Sequence, residues 1–216
     1  MPSMDNPPTS APDSLAAALA EIVTSQRAVR RLRATSVPRA VIKRLIFLAT
    51  RAPSGSNRQP WEFVVVTDSH MRKQLGEIYR RASRPNFEML LEGSADEAGR
   101  RLYRDALYLS DHMGEAPVII VVCAVVSDQR PLQMQLPSIY PAVQNLLLAA
   151  RANGLGGVLT TTHKRLEAEV AALIGLPSGV ETVCLIPVGY PARPEKAFRP
   201  IDARRPIDDV LHWERF

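Results

Sequence analysis

Apolar residues recur at helical spacing in some stretches of this chain and run without a break in others, and the alternation predicts its layout. A helix is expected over LAAALAEIVTSQ, capped by Asp13 or Ser14. Ser36 and Pro38 open a second, in which Val41, Ile42, Leu45, Ile46 and Ala49 follow the 3.6-residue period. WEFVVVTD reads as the first strand, followed by a helix over residues 70–81. A helix over 95–113 puts Leu102, Ala106, Leu109 and Met113 on one stripe, and Pro117 ends it before VIIVVCAVV. Nine apolar residues in a row predict a strand covered on both faces. Ser138 is expected to cap a largely buried helix with Pro141 in its first turn and Ile139, Val143, Leu146, Leu147 and Ala150 in the core. Asn153 and Gly154 close it in a left-handed stop. VLTTTH, a helix over 165–174 and the strand ETVCLIPVGY complete the pattern.

Three to four strands separated by helices, without an internal repeat, predict a three-layer α+β or α/β domain. The folded unit is expected to span 13–216, because residues 1–12, MPSMDNPPTSAP, carry no period and are expected to be a disordered tail. The polar stretch SRPNFEMLLEGSADEAG has no strong period and reads as a mobile lid. Residues 190–216 hold four prolines and almost no core of their own, so they are expected to form an arm lying on a partner subunit.

At 216 residues the chain suits one domain, burying about 70% of its unfolded surface. The net charge is +5, but nine of the 27 basic residues fall between Ile22 and Trp61, where no Asp or Glu occurs. The rest of the chain holds 18 basic residues against all 22 acidic ones. Such a local cluster predicts a local anionic partner, and with no aromatics interleaved it argues against nucleic acid. Arg39, Lys43 and Arg44 share one face of their helix and read equally well as solvated charge. Cys123 and Cys184 lie in apolar runs and are expected to be buried, reduced thiols of a cytoplasmic protein. The longest apolar run, residues 116–126, is shorter than the roughly 18 residues a membrane span needs.

Metal and nucleophile chemistries find no support in the spacing. His70, His112, His163 and His212 are 42 or more residues apart, and neither a C-x-x-C pair nor a G-x-S-x-G elbow is present. The glycines of Gly154-Leu155-Gly156-Gly157 leave a helix instead of entering one, so they read as a helix stop and close helix–strand packing, not a dinucleotide loop. RAPSGSNRQPWEF is more informative. Pro53, Ser54, Gly55, Ser56, Asn57 and Gln59 exceed what a turn needs. Small residues let main-chain N–H groups approach a ligand, and the two amides offer donors and acceptors to a heteroaromatic edge. Upstream, Arg27 and Arg30 of QRAVRR are suited to grip a phosphate through forked donors, and Arg204 and Arg205 offer a second clamp.

QRAVRRL, APSGSNRQPWEF, PAVQNLLLAARANGLGGVLTTTH, VGYPA and RRPIDDVLHWERF, in this order, resemble the nitroreductase family of FMN-dependent oxidoreductases over about residues 15–216. The resemblance implies an α+β sandwich of three layers, α/β/α, with a mainly antiparallel central sheet. It further implies an intertwined homodimer with FMN at the interface. Gln26, Arg27, Ala28 and Arg30 would occupy the phosphate-binding positions, with Gln26 and Ala28 departing from the family's usual Arg and Ser. Pro53, Ser54, Gly55 and Asn57 match the loop that meets the flavin. Thr160, Thr161 and Thr162 match the segment facing its N5 side, and Arg204 the C-terminal phosphate ligand. NADH or NADPH would supply a hydride and an electron-poor acceptor such as a nitroaromatic or quinone would take two electrons, with no obligatory catalytic side chain. The alternative within the fold is a halotyrosine dehalogenase or a flavin-fragmenting enzyme. The first would need a Glu-Tyr-Lys set near residues 83–101, where Glu88, Glu92 and Tyr103 occur with no Lys between Lys73 and Lys164.

Overall fold

The structure is a computed structural model that describes residues 13–199 and 204–216, so the tail expected at 1–12 lies outside the described residues. Seven α-helices and four strands follow in the order α1 Asp13–Ser25, α2 Arg39–Ala49, β1 Trp61–Val66, α3 Ser69–Glu92, α4 Glu97–His112, β2 Val118–Val125, α5 Leu132–Ala152, β3 Gly156–Gly157, α6 Glu167–Ile174, β4 Val180–Gly189 and α7 Pro194–Ala197. The strands form one sheet in the order β1-β2-β4-β3 with every neighbour antiparallel. This is the expected α+β arrangement.

The two central strands explain the unbroken apolar runs. Val118, Ile120, Val122 and Ala124 of β2 face one core, shared with Leu45 and Ala49 of α2 and Ile139, Val143 and Leu146 of α5. Ile119, Val121 and Cys123 face the other, shared with Leu75 and Tyr79 of α3, Leu109 of α4 and Val170 of α6. Each fully buried Val, Leu or Ile contributes roughly 1.5–3 kcal/mol, so both helical layers are anchored mainly through these strands. The register slips between Val122, paired with Cys184, and Cys123, paired with Thr182, which leaves Val183 as an extra residue. Cys123 and Cys184 therefore enter opposite cores as free thiols, and burial pushes each up to about 12.

Two expectations are corrected. The helix expected over residues 70–81 runs on to Glu92, because α3 continues through Pro85, so the stretch read as lacking a period is helical that far. It is held against α4 by a buried Ser83–Ser110 hydroxyl pair at 2.8 Å and by the ion pair of Arg84 with Asp111, while Arg84 also pairs with Glu88 one turn on within α3. These contacts join residues up to 27 apart, which a local period cannot register. Second, α5 begins at Leu132, so Ser138 lies inside the helix and is not its cap; Pro137 and Pro141 both lie within it. The caps that form are Asp68, accepting from Met71 N–H at 2.8 Å, and Asp96, accepting from Gly99 N–H at 2.6 Å. Among the described residues no helix is long and apolar enough to cross a membrane.

Candidate functional site

Residues 28–33 lie along the edge of the sheet. Ala28 bridges Gly157 in parallel, and Val29 N–H donates to the Gly157 carbonyl at 3.0 Å. A Cβ on Gly156 would stand 2.6 Å from that of Val29, so the bare glycine is what lets the segment approach. The close packing expected of these glycines is thus strand on strand, while Gly154, at φ 70°, makes the expected left-handed stop. On the other side Arg33 N–H donates to Tyr190 at 2.8 Å and Ala192 N–H to Arg31 at 2.9 Å.

This clamping leaves Arg27, Ala28 and Arg30 lining a cavity of about 610 Å³, whose other walls come from α4 and from the chain after β4. Gln26, half-buried, continues the last turn of α1 through an N–H bond to Ile22 at 2.9 Å. Burial lowers the pKa of the Arg30 guanidinium; Asp105 and Tyr79 oppose that shift and Arg27 adds to it. Asp105 is already engaged by Arg31 at 3.3 Å, and Arg31 also lies 3.8 Å over the Tyr108 ring. The cavity therefore carries uncompensated positive charge.

Thr160 is built into the sheet by paired main-chain bonds with Leu185 at 3.0 and 2.9 Å. Its hydroxyl meets the Tyr79 hydroxyl at 3.0 Å and that of Thr162 at 3.1 Å. Burial raises the Tyr79 pKa, while the Thr160 and Thr162 hydroxyls and the charge of Arg30 pull it back. Tyr79 thus bonds the threonine segment while within the field of Arg30; of that segment Thr161 is exposed and Thr162 half-buried. Nothing in sequence spacing marks Tyr79, which is 81 residues from Thr160.

The turn after Thr161 rests on a buried polar chain. His163 Nε2 lies 3.0 Å from Thr182 Oγ1, and that hydroxyl donates to Glu167 Oε1 at 2.7 Å. With its proton committed to Glu167, Thr182 accepts from His163, so His163 is protonated at Nε2. Its Nδ1 is buried with no partner among the described residues. Burial, helped by Lys164, pushes the His163 pKa down to about 4. Lys164 pairs with Glu167.

The loop at 53–59 lies elsewhere. Ser56, Asn57 and Gln59 all have φ between 51° and 54°, a left-handed conformation that costs non-glycine residues about 1–3 kcal/mol each and clusters at ligand sites. Gly55 has no positive φ, and a Cβ built there would meet nothing within 4 Å, so neither backbone geometry nor packing within this chain demands it. Ser54 Oγ accepts from Gln59 N–H at 3.0 Å, Asn57 Oδ1 accepts from Gln59 Nε2 at 3.2 Å, and Ser138 Oγ on α5 accepts from Gly55 N–H at 3.2 Å. Pro53 is exposed and Ser54 half-buried. Gly55 and Ser138 line a cavity of about 130 Å³ that shares no lining residue with the larger one. A single chain thus presents two separate cavities. Arg204 is exposed at the start of the 204–216 segment.

A family model described as "Nitroreductase family" matches residues 23–190. Iodotyrosine deiodinase 1 of Mus musculus is 29% identical over 201 residues, covering 88% of this chain and 67% of the relative, so the chain spans about two thirds of that protein's length. A crystal structure of oxidized iodotyrosine deiodinase bound to FMN and 3-iodo-L-tyrosine shares 27% identity and a TM-score of 0.74, covering 92% of this chain and all of that one. The FMN-dependent nitroreductase of Mycobacterium smegmatis in complex with NADPH, at 22% identity, shares the fold with a TM-score of 0.72, covering 93% of this chain and 100% of that one.

Proposed function

Because the chain belongs to the nitroreductase family, we propose that it is an FMN-dependent oxidoreductase that takes a hydride from NADH or NADPH and passes two electrons to an electron-poor acceptor such as a nitroaromatic or quinone, the two substrates using one site in turn. The observation that carries this reading is the cationic cavity that Arg27 and Arg30 line at the sheet edge, beside which Tyr79, within the field of Arg30, hydrogen-bonds the Thr160–Thr162 hydroxyls. A terminal phosphate suits the first, and the polar edge of a flavin ring suits the second. FMN, when bound, supplies the two-electron chemistry.

The residues of this chain fit that cofactor. Arg27, Arg30 and Arg204 hold the phosphate, with Gln26 and Ala28 adding only main-chain contacts and small volume. Pro53, Ser54, Gly55 and Asn57 present the open face of their loop to the ring, where Gly55 leaves room for a ligand to touch the backbone. Thr161 and Thr162 offer hydroxyl and amide donors to its reactive edge, which steadies charge as it arrives, and Thr160 anchors them to the sheet and to Tyr79.

Such a site is completed by a second copy of the chain. Leu15, Leu19 and Val23 form an exposed apolar stripe on α1, and Ile207, Trp213 and Phe216 are exposed at the C-terminus, Trp213 at 76%. Surfaces of that kind call for a cover. A homodimer covers them and brings the 53–59 loop of one protomer to the threonines of its partner.

The resemblance to iodotyrosine deiodinases favours a second reading, reductive dehalogenation of a halogenated aromatic. Against it, Glu88 is engaged by Arg84, and no lysine stands between Lys73 and Lys164 to grip an amino-acid carboxylate. Purified protein is expected to be yellow, to release FMN on denaturation, and to give parallel double-reciprocal lines with a nicotinamide and a nitroaromatic. Faster turnover of 3-iodotyrosine than of any nitroaromatic or quinone would establish the second reading instead. Failure to bind FMN on reconstitution would remove both.

A further inference from the structure

The large cavity carries more positive charge than one cofactor phosphate uses. Arg101 of α4 and Arg193 and Lys196 of the chain after β4 line it together with Arg27, Arg30 and Arg31, and a single carboxylate, Asp105, is taken by Arg31. The side chains of Arg101, Arg193 and Lys196 make no hydrogen bond or ion pair among the described residues. An isolated exposed cation is ordinary solvated surface. Three that line one cavity, brought there from segments 92 residues apart, add like charge around a shared space, and that cost is relieved by a bound anion. The cavity, at about 610 Å³, also has the size of a whole small-molecule site and exceeds a phosphate nest.

Resting on the flavin reading above, we infer that Arg101, Arg193 and Lys196 form a second anion site, which holds an acidic group on the reactant that exchanges electrons with the flavin. Two reactants can bring that group. A nicotinamide donor brings the 2′-phosphate that distinguishes NADPH from NADH, and an aromatic acceptor brings a ring carboxylate or sulfonate. In both cases the site selects by charge at a point remote from the reacting atoms, so it acts on KM.

The test uses the FMN-loaded full chain, wild type and the double variant Arg101→Ala/Lys196→Ala, with Arg101→Lys as the charge-conserving control. KM is measured for NADPH against NADH and for 4-nitrobenzoate against 4-nitrobenzamide. Binding of adenosine 2′,5′-bisphosphate against AMP is measured by calorimetry, and FMN content is read from absorbance. The expected result is that the double variant weakens the charged member of one pair by about 10-fold to 100-fold relative to its partner, that Arg101→Lys keeps most of the preference, and that FMN content holds. A shift in the nicotinamide pair identifies the 2′-phosphate; a shift in the nitro pair identifies the acceptor's acid group. Equal effects on charged and uncharged members, or loss of FMN in step with the rise in KM, overturn the inference. If the wild type takes up no FMN, the flavin reading fails instead, and calorimetry on both charged/uncharged pairs still decides: no preference for the bisphosphate over AMP together with none for 4-nitrobenzoate over 4-nitrobenzamide overturns the anion site.

Discussion

Tyr79 and Thr160 meet hydroxyl to hydroxyl at 3.0 Å, in a core where Tyr79 is 1% exposed and Thr160 9%. This contact ties α3, which holds the second core layer, to the threonine segment at the sheet edge. Removing it leaves Thr160 with the Thr162 hydroxyl alone. Tyr79→Phe is expected to cost about 1–2 kcal/mol of stability, since a buried hydroxyl loses its partner with no change of shape. Urea unfolding of the flavin-free chain measures this; an unchanged midpoint would show that the contact contributes nothing.

Two neighbouring glycines predict different outcomes. In Gly156→Ala the new Cβ meets Val29 Cβ at 2.6 Å and Cγ1 at 2.7 Å, so residues 28–33 must leave the sheet edge. Overpacking of this kind costs about 1–3 kcal/mol, and FMN affinity is expected to fall with it because Arg27 and Arg30 sit on the displaced segment. Gly154→Ala has open space but a φ of 70°, so it is expected to cost about 1–2 kcal/mol without loss of FMN. Fluorescence titration of FMN into both variants separates displacement from general destabilisation.

His163 sets a pH window for stability. Its pKa falls from an unfolded value near 6.5 to about 4, so between these values the unfolded chain binds a proton that the folded chain refuses. Stability is complete above pH 6.5 and declines on acidification by roughly 2–3 kcal/mol by pH 4.5, a range above that in which Glu167, whose pKa is lowered by Lys164 and Thr182 against its desolvation, titrates. Replacing His163 by Gln is expected to flatten the dependence of Tm on pH between 4.5 and 6.5.

Arg27 and Arg204 lie at opposite ends of the chain and are assigned to one phosphate. A hydrogen bond to a charged group contributes roughly 1.5–3 kcal/mol, so either Ala variant is expected to weaken FMN binding about 10-fold to 150-fold. The double variant is expected to be colourless. FMN dissociation followed by fluorescence tests this, and unchanged affinity in both single variants would put the phosphate elsewhere.

Deleting residues 207–216 removes Ile207, Trp213 and Phe216 while leaving Arg204 in place. Loss of the dimer and of tight FMN binding together is expected if, as proposed, the FMN site is shared between two protomers. A truncated chain that stays monomeric and fully loaded would show that one chain holds the cofactor alone. Light scattering with an absorbance trace reads both quantities.

The unbroken run VIIVVCAVV, the periodic helices and the αL stop at Gly154 were legible in the sequence because each depends on neighbours within a few residues. So were the arginine and threonine segments, which carry recognisable local patterns and are lodged at the sheet edge and its adjoining turn. Other features depend on contacts that no local pattern encodes. The helix through Pro85 is held to α4 by one ion pair and a serine pair, and the start of α5 lies six residues before Ser138, whose hydroxyl instead takes the Gly55 N–H. Tyr79 reaches Thr160 only once α3 is laid across the sheet, and Arg101, Arg193 and Lys196 converge only when α4 and the chain after β4 close one cavity. Propensity and periodicity act along the chain over a turn or two, whereas the cavity is assembled by packing between segments as much as 170 residues apart (Arg27 to Ala197), and those distances exist only in the folded state.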